Sequence, residues 1–167
     1  TMDEELRRFL DEEAVKKVHV RYCRGVDRMD FDLIRSCYHP DATDDHGEFV
    51  GGVEEFIEYG KANLPTFLST NHFICNQLVD VQGDVAFAEH YGIAYHHMPA
   101  GEDGREKDWI ATIRYIDRFE RRDGEWRIAH RRSLVDSDRI DPVQESLIPR
   151  GGAMSGSRDR TDPSYDR

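Results

Sequence analysis

The sequence lacks the features that mark membrane proteins and nucleic-acid-binding proteins. None of its apolar runs approaches the roughly 20 residues that a helix needs to span a bilayer. The stretch from Thr1 to Glu5 is acidic and has no apolar signal core, so we expect a cytoplasmic location and no membrane partner. The formal net charge of -11 would repel nucleic-acid phosphates, so we expect no nucleic-acid partner either.

Cysteine is scarce, and the spacings that bind metals are absent. The three cysteines are widely separated and form no C-x-x-C motif: Cys23, Cys37 and Cys75. This pattern is typical of reduced thiols rather than of a disulfide framework. The histidine pairs 96/97 and 90/97 lack the i, i+4 spacing of helical zinc sites. We therefore expect no metal site.

Motifs that bind nucleotides or carry a nucleophile are also missing. The chain contains no glycine loop for phosphate, no dinucleotide fingerprint and no G-x-S-x-G nucleophile elbow. No cysteine has an obvious base beside it. We expect no cofactor, and proton transfer remains as the chemistry that the residues can support.

What is present is a helical half followed by a strand-rich half. Helical periodicity predicts helices over residues 3–29, 31–37 and 53–64, with a turn at 39–42 and a short strand that reaches Glu48. From Thr70 the period changes to two and predicts strands near 71–80, 84–98, 107–122 and 125–137.

The separators between the four strands are hairpin signals, and Asp123-Gly124 is the strongest of them. Helices followed by an antiparallel meander predict an α+β fold, with the helices packed on one face of a curved sheet. We assign residues 1–140 to one domain. Residues 141–167, which are polar and contain several prolines and glycines, are predicted to be an extended arm or a disordered tail.

A carboxylate near the end of the first helix is the first candidate for chemistry. On a helical wheel, Asp27 projects at the margin of the apolar arc, between Cys23 and Val20, rather than on the basic stripe. It should therefore be partly desolvated and in need of a partner. The alternative is a solvent-exposed pair with Arg24 or Arg28, or a cap for the next helix.

The second candidate is a histidine in the first strand of the meander. Strict alternation places His72 on one strand face with Ile74, Asn76 and Leu78. An imidazole in apolar surroundings is commonly a core residue bonded to a backbone carbonyl. A carboxylate partner would instead orient the ring and stabilise its charged form, as a general base requires.

The next strands offer further candidates. One face of the second strand carries His97 and Tyr95, and the other carries His96, Ala94 and Gly92. The small residues leave room for packed helices or for a ligand. In the last strand, Arg131 alternates with Ala129 and Ser133, and its ordinary interpretation is a surface arginine paired with a carboxylate.

The element order and three local motifs resemble a known family. The motifs are Gly25-Val26-Asp27, Asn71-His72 and Phe119–Trp126 (FERRDGEW). They are similar to segments of the SnoaL-like group in the nuclear transport factor 2-like superfamily, whose fold is a cystatin-like cone. The resemblance covers roughly residues 5 to 135 and is strongest with hexachlorocyclohexane dehydrochlorinase, bile acid 7-alpha dehydratase and, more distantly, scytalone dehydratase.

The resemblance implies a role for each candidate. His72 is implied to take a proton from carbon, and Asp27 to hold its tautomer and stabilise its charged form. Arg131 falls where the dehydrochlorinase has an arginine that assists the leaving group, and Tyr22 where the bile acid enzyme has a tyrosine. The substrate pocket is expected to contain four further residues: His97, Tyr95, Cys23 and Asn76. The second aspartate of the bile acid enzyme is not reproduced near Tyr95.

The combined hypothesis is a cofactor-independent lyase of the dehydratase type. It would act on a hydrophobic cyclic or polycyclic small molecule, steroid-like or from an aromatic pathway, and form a homo-oligomer, a trimer ahead of a dimer. One alternative is an isomerase that uses the same pocket. The other is a non-catalytic ligand-binding or assembly protein, like the small subunits of ring-hydroxylating dioxygenases.

Overall fold

The computed structural model describes residues 1–146 and 155–166, in which three helices pack on one six-stranded sheet. The helices and strands, in chain order, are α1 (Met2–Asp27), α2 (Phe31–Ser36), β1 (Tyr38–Asp45), β2 (Val50–Gly52), α3 (Val53–Asn63), β3 (Ser69–Gln82), β4 (Val85–Met98), β5 (Lys107–Arg122) and β6 (Glu125–Pro142). The sheet order is β2-β1-β6-β5-β4-β3, with β1 parallel to β6 and the other neighbours antiparallel. The predicted α+β class, with helices on a mixed sheet, is confirmed.

The first helix has two halves with different surroundings. Its apolar residues near the N-terminus, such as Leu6 and Phe9, are exposed, whereas the second half buries one face against the sheet. The buried face is formed by Val15, Val18, His19, Tyr22, Cys23, Gly25 and Val26. The helix ends two residues before the predicted end, because Met29 adopts a left-handed conformation with φ of 50°.

A glycine lets the next helix approach the end of α1. A Cβ atom on Gly25 would lie 2.8 Å from Cγ1 of Ile34, so only glycine allows α2 to pack this closely. Asp30 then caps α2 by accepting a hydrogen bond from the backbone N–H of Leu33 at 3.1 Å. The last turn of α1, which carries Asp27, is thereby held against the rest of the fold.

Bulges in two strands change which residues face the helices. The register of β3 shifts between Ile74 and Gln77, so the inward alternation that begins at Thr70 and His72 resumes at Gln77. Strict alternation had placed Asn76 on the inner face, but its side chain is exposed. The register between β5 and β6 also shifts next to Phe119.

The first strand is longer than expected, and a second edge strand follows it. β1 includes the predicted turn at residues 39–42, and its register with β6 shifts between Tyr38 and Thr43, where Pro40 has no N–H to donate. The short β2, which was not predicted, pairs with β1. No helix in the described ranges is long and apolar enough to cross a membrane.

Near the C-terminus, the chain returns to the end of α1. β6 runs to Pro142, and residues 155–166 contact the helices through Tyr165, whose hydroxyl donates to Asp30 at 3.0 Å. The guanidinium of Arg24 lies 4.8 Å from the centre of the Tyr165 ring. Part of the predicted arm or tail, residues 147–154 and 167, lies outside the described residues, and the proposed boundary at residue 140 stays a prediction.

Candidate active site

Asp27 and His72 meet where the end of α1 lies over the start of β3. Nδ1 of His72 is 2.7 Å from Oδ1 of Asp27, and the backbone N–H of His72 donates to Oδ2 at 3.0 Å. The hydroxyl of Thr70 donates to Oδ1 at 3.1 Å. An ionised carboxylate only accepts hydrogen bonds, so Nδ1 is the donor in this contact, and in the neutral ring Nε2 is the nitrogen that can accept a proton.

The alternative partners of Asp27 are engaged elsewhere. Nη2 of Arg24 donates to Oγ of Ser164 at 3.1 Å, and Nε of Arg28 lies 3.7 Å from a carboxylate oxygen of Asp162. Both arginines therefore hold the C-terminal segment rather than the Asp27 carboxylate. The Asp27–His72 pair, as we call these two side chains, has a carboxylate that is free to act on the imidazole.

The His72 ring borders a cavity of about 420 Å³ between the helices and the inner face of the sheet. Most of the lining is apolar and includes Val26, Ile34, Phe56, Ile57, Phe67 and Ile113. The polar side chains at the wall include Tyr22, His46, Glu48, His72, His96 and Ser133. Within residues 1–146 and 155–166, Nε2 of His72 has no hydrogen-bond partner, so this nitrogen is available to a molecule in the cavity.

Two residues expected in the pocket lie on the other face of β4. His97 bonds Asp108 at 2.5 Å and Glu106 at 3.0 Å, and the Tyr95 ring packs edge-on against Phe73 with 5.9 Å between centroids. Because side chains alternate along a strand, these residues point away from the helices, and the expected placement is corrected. The opposite face of β4, which carries Ala94 and His96, borders the cavity.

The other two expected pocket residues do not line the cavity either. Asn76 lies at the β3 bulge and is exposed. Cys23 is buried, with Sγ 3.8 Å from Nε2 of His19, and burial raises the pKa of its thiol to about 12. A thiol of this kind stays protonated at neutral pH and fills the core.

Arg131 is fully buried beside the cavity rather than in its wall. Nε and Nη2 donate to the two carboxylate oxygens of Asp117 at 2.8 and 2.6 Å, and Nη2 also donates to Nδ1 of His19 at 3.0 Å. Its guanidinium contacts the rings of Tyr22 and Tyr115, 4.2 and 4.3 Å from their centres. The interpretation of Arg131 as a surface residue is wrong.

Two histidines complete this arginine cluster, which comprises His19, His90, Asp117 and Arg131. The imidazoles stack at 4.0 Å, and Nε2 of His90 lies 3.5 Å from Asp117. Burial, together with the charge of Arg131, lowers the pKa of His90 to about 3 and that of His19 well below its usual value. The ligand atoms of the two imidazoles and Asp117 lie within 4.8 Å of one another, but the guanidinium already supplies the positive charge that a metal would bring.

A second histidine–carboxylate pair, which was missed in the sequence, borders the same cavity. Nδ1 of His46 donates to Oδ1 of the fully buried Asp44, and the Tyr38 hydroxyl donates to Oδ2 of Asp44 at 2.5 Å. Nε2 of His46 lies 3.5 Å from the hydroxyl of Tyr22. The sequence feature that could have revealed this pair is the i, i+2 spacing of Asp44 and His46 at a strand end, because this spacing places both side chains on one face.

His96 is the third imidazole in the cavity wall. It stacks on Trp109 at 4.4 Å and meets the His72 ring edge-on at 5.7 Å. Burial, reinforced by His72, lowers the pKa of His96 to about 4, so this ring is neutral at physiological pH. In the sequence, His96 could have been recognised as a cavity residue because it shares a strand face with the small residues Gly92 and Ala94.

The C-terminal segment reaches the Asp27–His72 pair through one arginine. Nη1 of Arg158 donates to the carbonyls of Leu64 and Phe67 at 2.9 and 2.8 Å, which fixes the turn at the cavity mouth. Nη2 donates to Oγ1 of Thr70 at 3.3 Å, and Nε to the carbonyl of Asp27 at 3.3 Å. Arg158 therefore connects the turn, the strand start and the helix end that form the site.

The comparisons with known proteins agree with this architecture. Residues 7–132 match the family model described as a SnoaL-like domain. A hexachlorocyclohexane dehydrochlorinase, LinA-type3 from Novosphingobium barchaimii, superimposes with a TM-score of 0.73 at 18% identity over 87% of this chain and 99% of that one. A putative scytalone dehydratase from Novosphingobium aromaticivorans gives 0.72 at 18% identity over 92% of this chain and 99% of that one.

A third similar structure is described as having a cystatin-like fold. This protein of unknown function with a cystatin-like fold, from Nostoc punctiforme, gives a TM-score of 0.64 at 21% identity over 76% of this chain and 92% of that one. A search of curated proteins found no match. Because the family model covers most of the sequence, the chain belongs to the SnoaL-like domain family, with the cystatin-like cone of the nuclear transport factor 2-like superfamily.

Proposed function

We propose that this protein is a cofactor-independent lyase that removes a leaving group from a hydrophobic cyclic or polycyclic small molecule. The observation that carries the proposal is the position of His72, whose Nδ1 is bonded to Asp27 while Nε2 faces a largely apolar cavity. The structural similarity to a dehydrochlorinase and to a putative scytalone dehydratase supports the same reaction class.

In the proposed mechanism, His72 is the general base. Nε2 accepts a proton from a carbon next to a carbonyl or alkene, and the negative charge of Asp27 stabilises the imidazolium that forms. The apolar wall excludes water, which strengthens this electrostatic interaction. A positioned base typically contributes about 10²–10⁴-fold, so the cavity must supply the remainder through orientation and electrostatics.

We propose different roles for Tyr22 and Arg131. The Tyr22 hydroxyl reaches the cavity and can donate to a developing enolate oxygen, because burial raises its pKa and keeps it protonated. Arg131 lies behind the Tyr22 ring and is bonded to Asp117. We therefore assign Arg131 a positioning role, in which its charge and its stacking hold Tyr22 in place.

Isomerisation through the same enolate is the second candidate function. It is favoured by the presence of two carboxylate-bonded imidazoles, His72 and His46, at the wall of one cavity. One ring would remove a proton and the other would return it at a different carbon. The assembly-module alternative predicts a cone filled by side chains, and the open cavity argues against it.

We also propose that the protein forms a homo-oligomer, a trimer ahead of a dimer. The outer face of the sheet exposes several large apolar side chains, including Phe73, Phe87, Tyr91, Ile93, Tyr95 and Ile116. Contiguous apolar surface on a sheet face commonly marks an interface. Light scattering at micromolar concentration should report more than one copy, and a monomer would contradict the proposal.

Single-turnover elimination tests the proposed function. A panel of cyclic ketones that carry a leaving group on the β carbon is incubated with excess protein, and the conjugated enone is followed by its ultraviolet absorbance. His72→Gln should lose about 10²–10⁴-fold in rate while its circular dichroism spectrum stays unchanged. An unaltered rate in the folded His72→Gln protein would contradict the general-base role of His72.

A further inference from the structure

The Asp44–His46 pair places a second carboxylate-bonded imidazole at the cavity wall. The His46 ring is held from several sides: it stacks on Phe56 with 5.0 Å between centroids, meets the Tyr115 ring edge-on at 6.0 Å, and donates from Nδ1 to Asp44. These contacts fix the ring, and its other nitrogen, Nε2, lies beside the Tyr22 hydroxyl at the cavity wall. The pair thus repeats the chemistry of the Asp27–His72 pair on a different structural element.

We propose that His46 is the general acid of this site and that the substrate is a β-hydroxy carbonyl compound, whose hydroxyl His46 protonates as it leaves. This inference rests on the proposed lyase function and narrows its substrate class. Hydroxide is a poor leaving group and requires a proton in the transition state, whereas a halide departs without one. A second imidazole in the same apolar cavity meets the requirement of a hydroxylated substrate.

The two carboxylates that hold these imidazoles have different hydrogen-bond partners. Asp27 accepts two hydrogen bonds besides that of the imidazole, and the cationic Arg158 lies next to it. Within the described parts of the chain, Asp44 accepts only the Tyr38 hydroxyl besides His46, and it is fully buried. Because His72 is the proposed base, we assign the role of the acid to His46, the other carboxylate-bonded imidazole at the cavity wall.

The elimination then balances without any co-reactant. Nε2 of His72 takes the proton from the α carbon, and the electron pair of that C–H bond forms the C=C bond. The C–O bond breaks with its electron pair, and the departing oxygen takes the proton from Nε2 of His46. The products are an enone and water. His72 ends protonated and His46 neutral, and proton exchange with solvent restores both.

Two probes that differ only in the leaving group test this assignment. The probes are 4-hydroxy-2-decalone and 4-acetoxy-2-decalone, which give the same conjugated enone. Acetate leaves as a stable anion, so it needs no general acid. We expect His46→Gln to lower kcat/KM for the hydroxy probe about 10²-fold, and that for the acetoxy probe by less than about fivefold. Gln keeps an amide that can donate to Asp44, which protects the fold.

Two further variants serve as references. His72→Gln should lower the rates of both probes by a similar factor, because proton abstraction precedes either departure. His130→Gln removes a histidine that contacts Thr43 on the same pair of strands but does not border the cavity, and it should change neither rate. Circular dichroism confirms that each variant is folded.

The outcomes separate the two proposals. Equal losses for both probes in His46→Gln, or no loss for either, would overturn the general-acid role and the assigned leaving group. Exchange of the C3 hydrogens for deuterium in D2O without elimination would also reject the leaving group, while it supports His72 as the base. A wild-type protein that shows neither exchange nor elimination would reject the lyase function itself.

Discussion

The arginine cluster and the Asp27–His72 pair contain the same kinds of side chain, yet they differ in access to the cavity. Both combine aspartate and histidine between α1 and the inner face of the sheet. In the arginine cluster, His19, Asp117 and Arg131 are sealed from solvent. In the Asp27–His72 pair, one ring nitrogen opens onto about 420 Å³ of apolar space. Access of a single nitrogen, rather than residue composition, distinguishes a site from a structural core.

The charge of each region follows from this difference. The cluster is built around the charge pair of Arg131 and Asp117, beside which the pKa values of His19 and His90 are lowered and the rings stay neutral. A sealed region of this kind has no means to exchange protons with a ligand. At the open pair, the proposed reaction would protonate Nε2 of His72, and the Asp27 carboxylate bonded to Nδ1 would stabilise the resulting charge.

The largest effect should come from breaking the cluster. Asp117→Asn keeps the shape of the side chain but leaves the Arg131 guanidinium buried without a counter-charge. We expect a loss of about 3–5 kcal/mol in the free energy of unfolding, measured by urea denaturation. The matched control is Asp136→Asn, which removes a similar two-bond contact to Arg114 at the surface. The two denaturation midpoints should differ widely, and equal midpoints would show that the cluster is not structural.

The open pair should respond in the opposite way. Asp27→Asn preserves the shape of the carboxylate but removes the charge that stabilises the imidazolium of His72. We expect single-turnover elimination to fall about 10²–10³-fold, with a smaller change in stability than that of Asp117→Asn. If this variant unfolded and Asp117→Asn remained stable, the distinction between the two regions would be reversed.

Sequence patterns predict the Asp27–His72 pair far better than the arginine cluster. The helical wheel placed Asp27 at the margin of the apolar arc of α1, and the resemblance brought Asp27 together with His72. The partner of Arg131 could not be fixed this way. Asp117 lies opposite Arg131 on the neighbouring strand, but the register shift next to Phe119 moves the pairing by one residue from that of a regular hairpin. The β3 bulge reverses the alternation beyond Ile74, so a period of two misplaced Asn76.

The C-terminal segment should have an intermediate effect that is confined to the open pair. Arg158→Ala removes the donors that connect the turn at Leu64 with Thr70 and Asp27. We expect kcat to fall about tenfold, because without these contacts the reacting side chains move away from their productive geometry. Arg160→Ala, which removes an exposed guanidinium from the same segment, is the control and should leave kcat unchanged. Equal effects of the two variants would assign the segment a general stabilising role.

The smallest effect should come from His96, which borders the cavity like His72 but is neutral like the histidines of the cluster. Its pKa is about 4 in the folded protein because burial disfavours the charged ring, and about 6.5 in the unfolded chain. Between these values the unfolded state binds more protons, so stability falls as the pH decreases from 6.5 to 4.

His96→Gln should therefore make the denaturation midpoint less sensitive to pH in this window. Some sensitivity should persist, because the pKa of His90 is also lowered, to about 3, and His90 remains in the variant. Urea midpoints measured at intervals from pH 7.5 to 4.5 provide the comparison, and each protein at pH 7.5 serves as its own reference, since His96 is neutral there in both states. An unchanged slope in His96→Gln would mean that His96 takes up its proton equally in both states. The ring would then belong with the solvent-accessible open pair rather than with the sealed cluster.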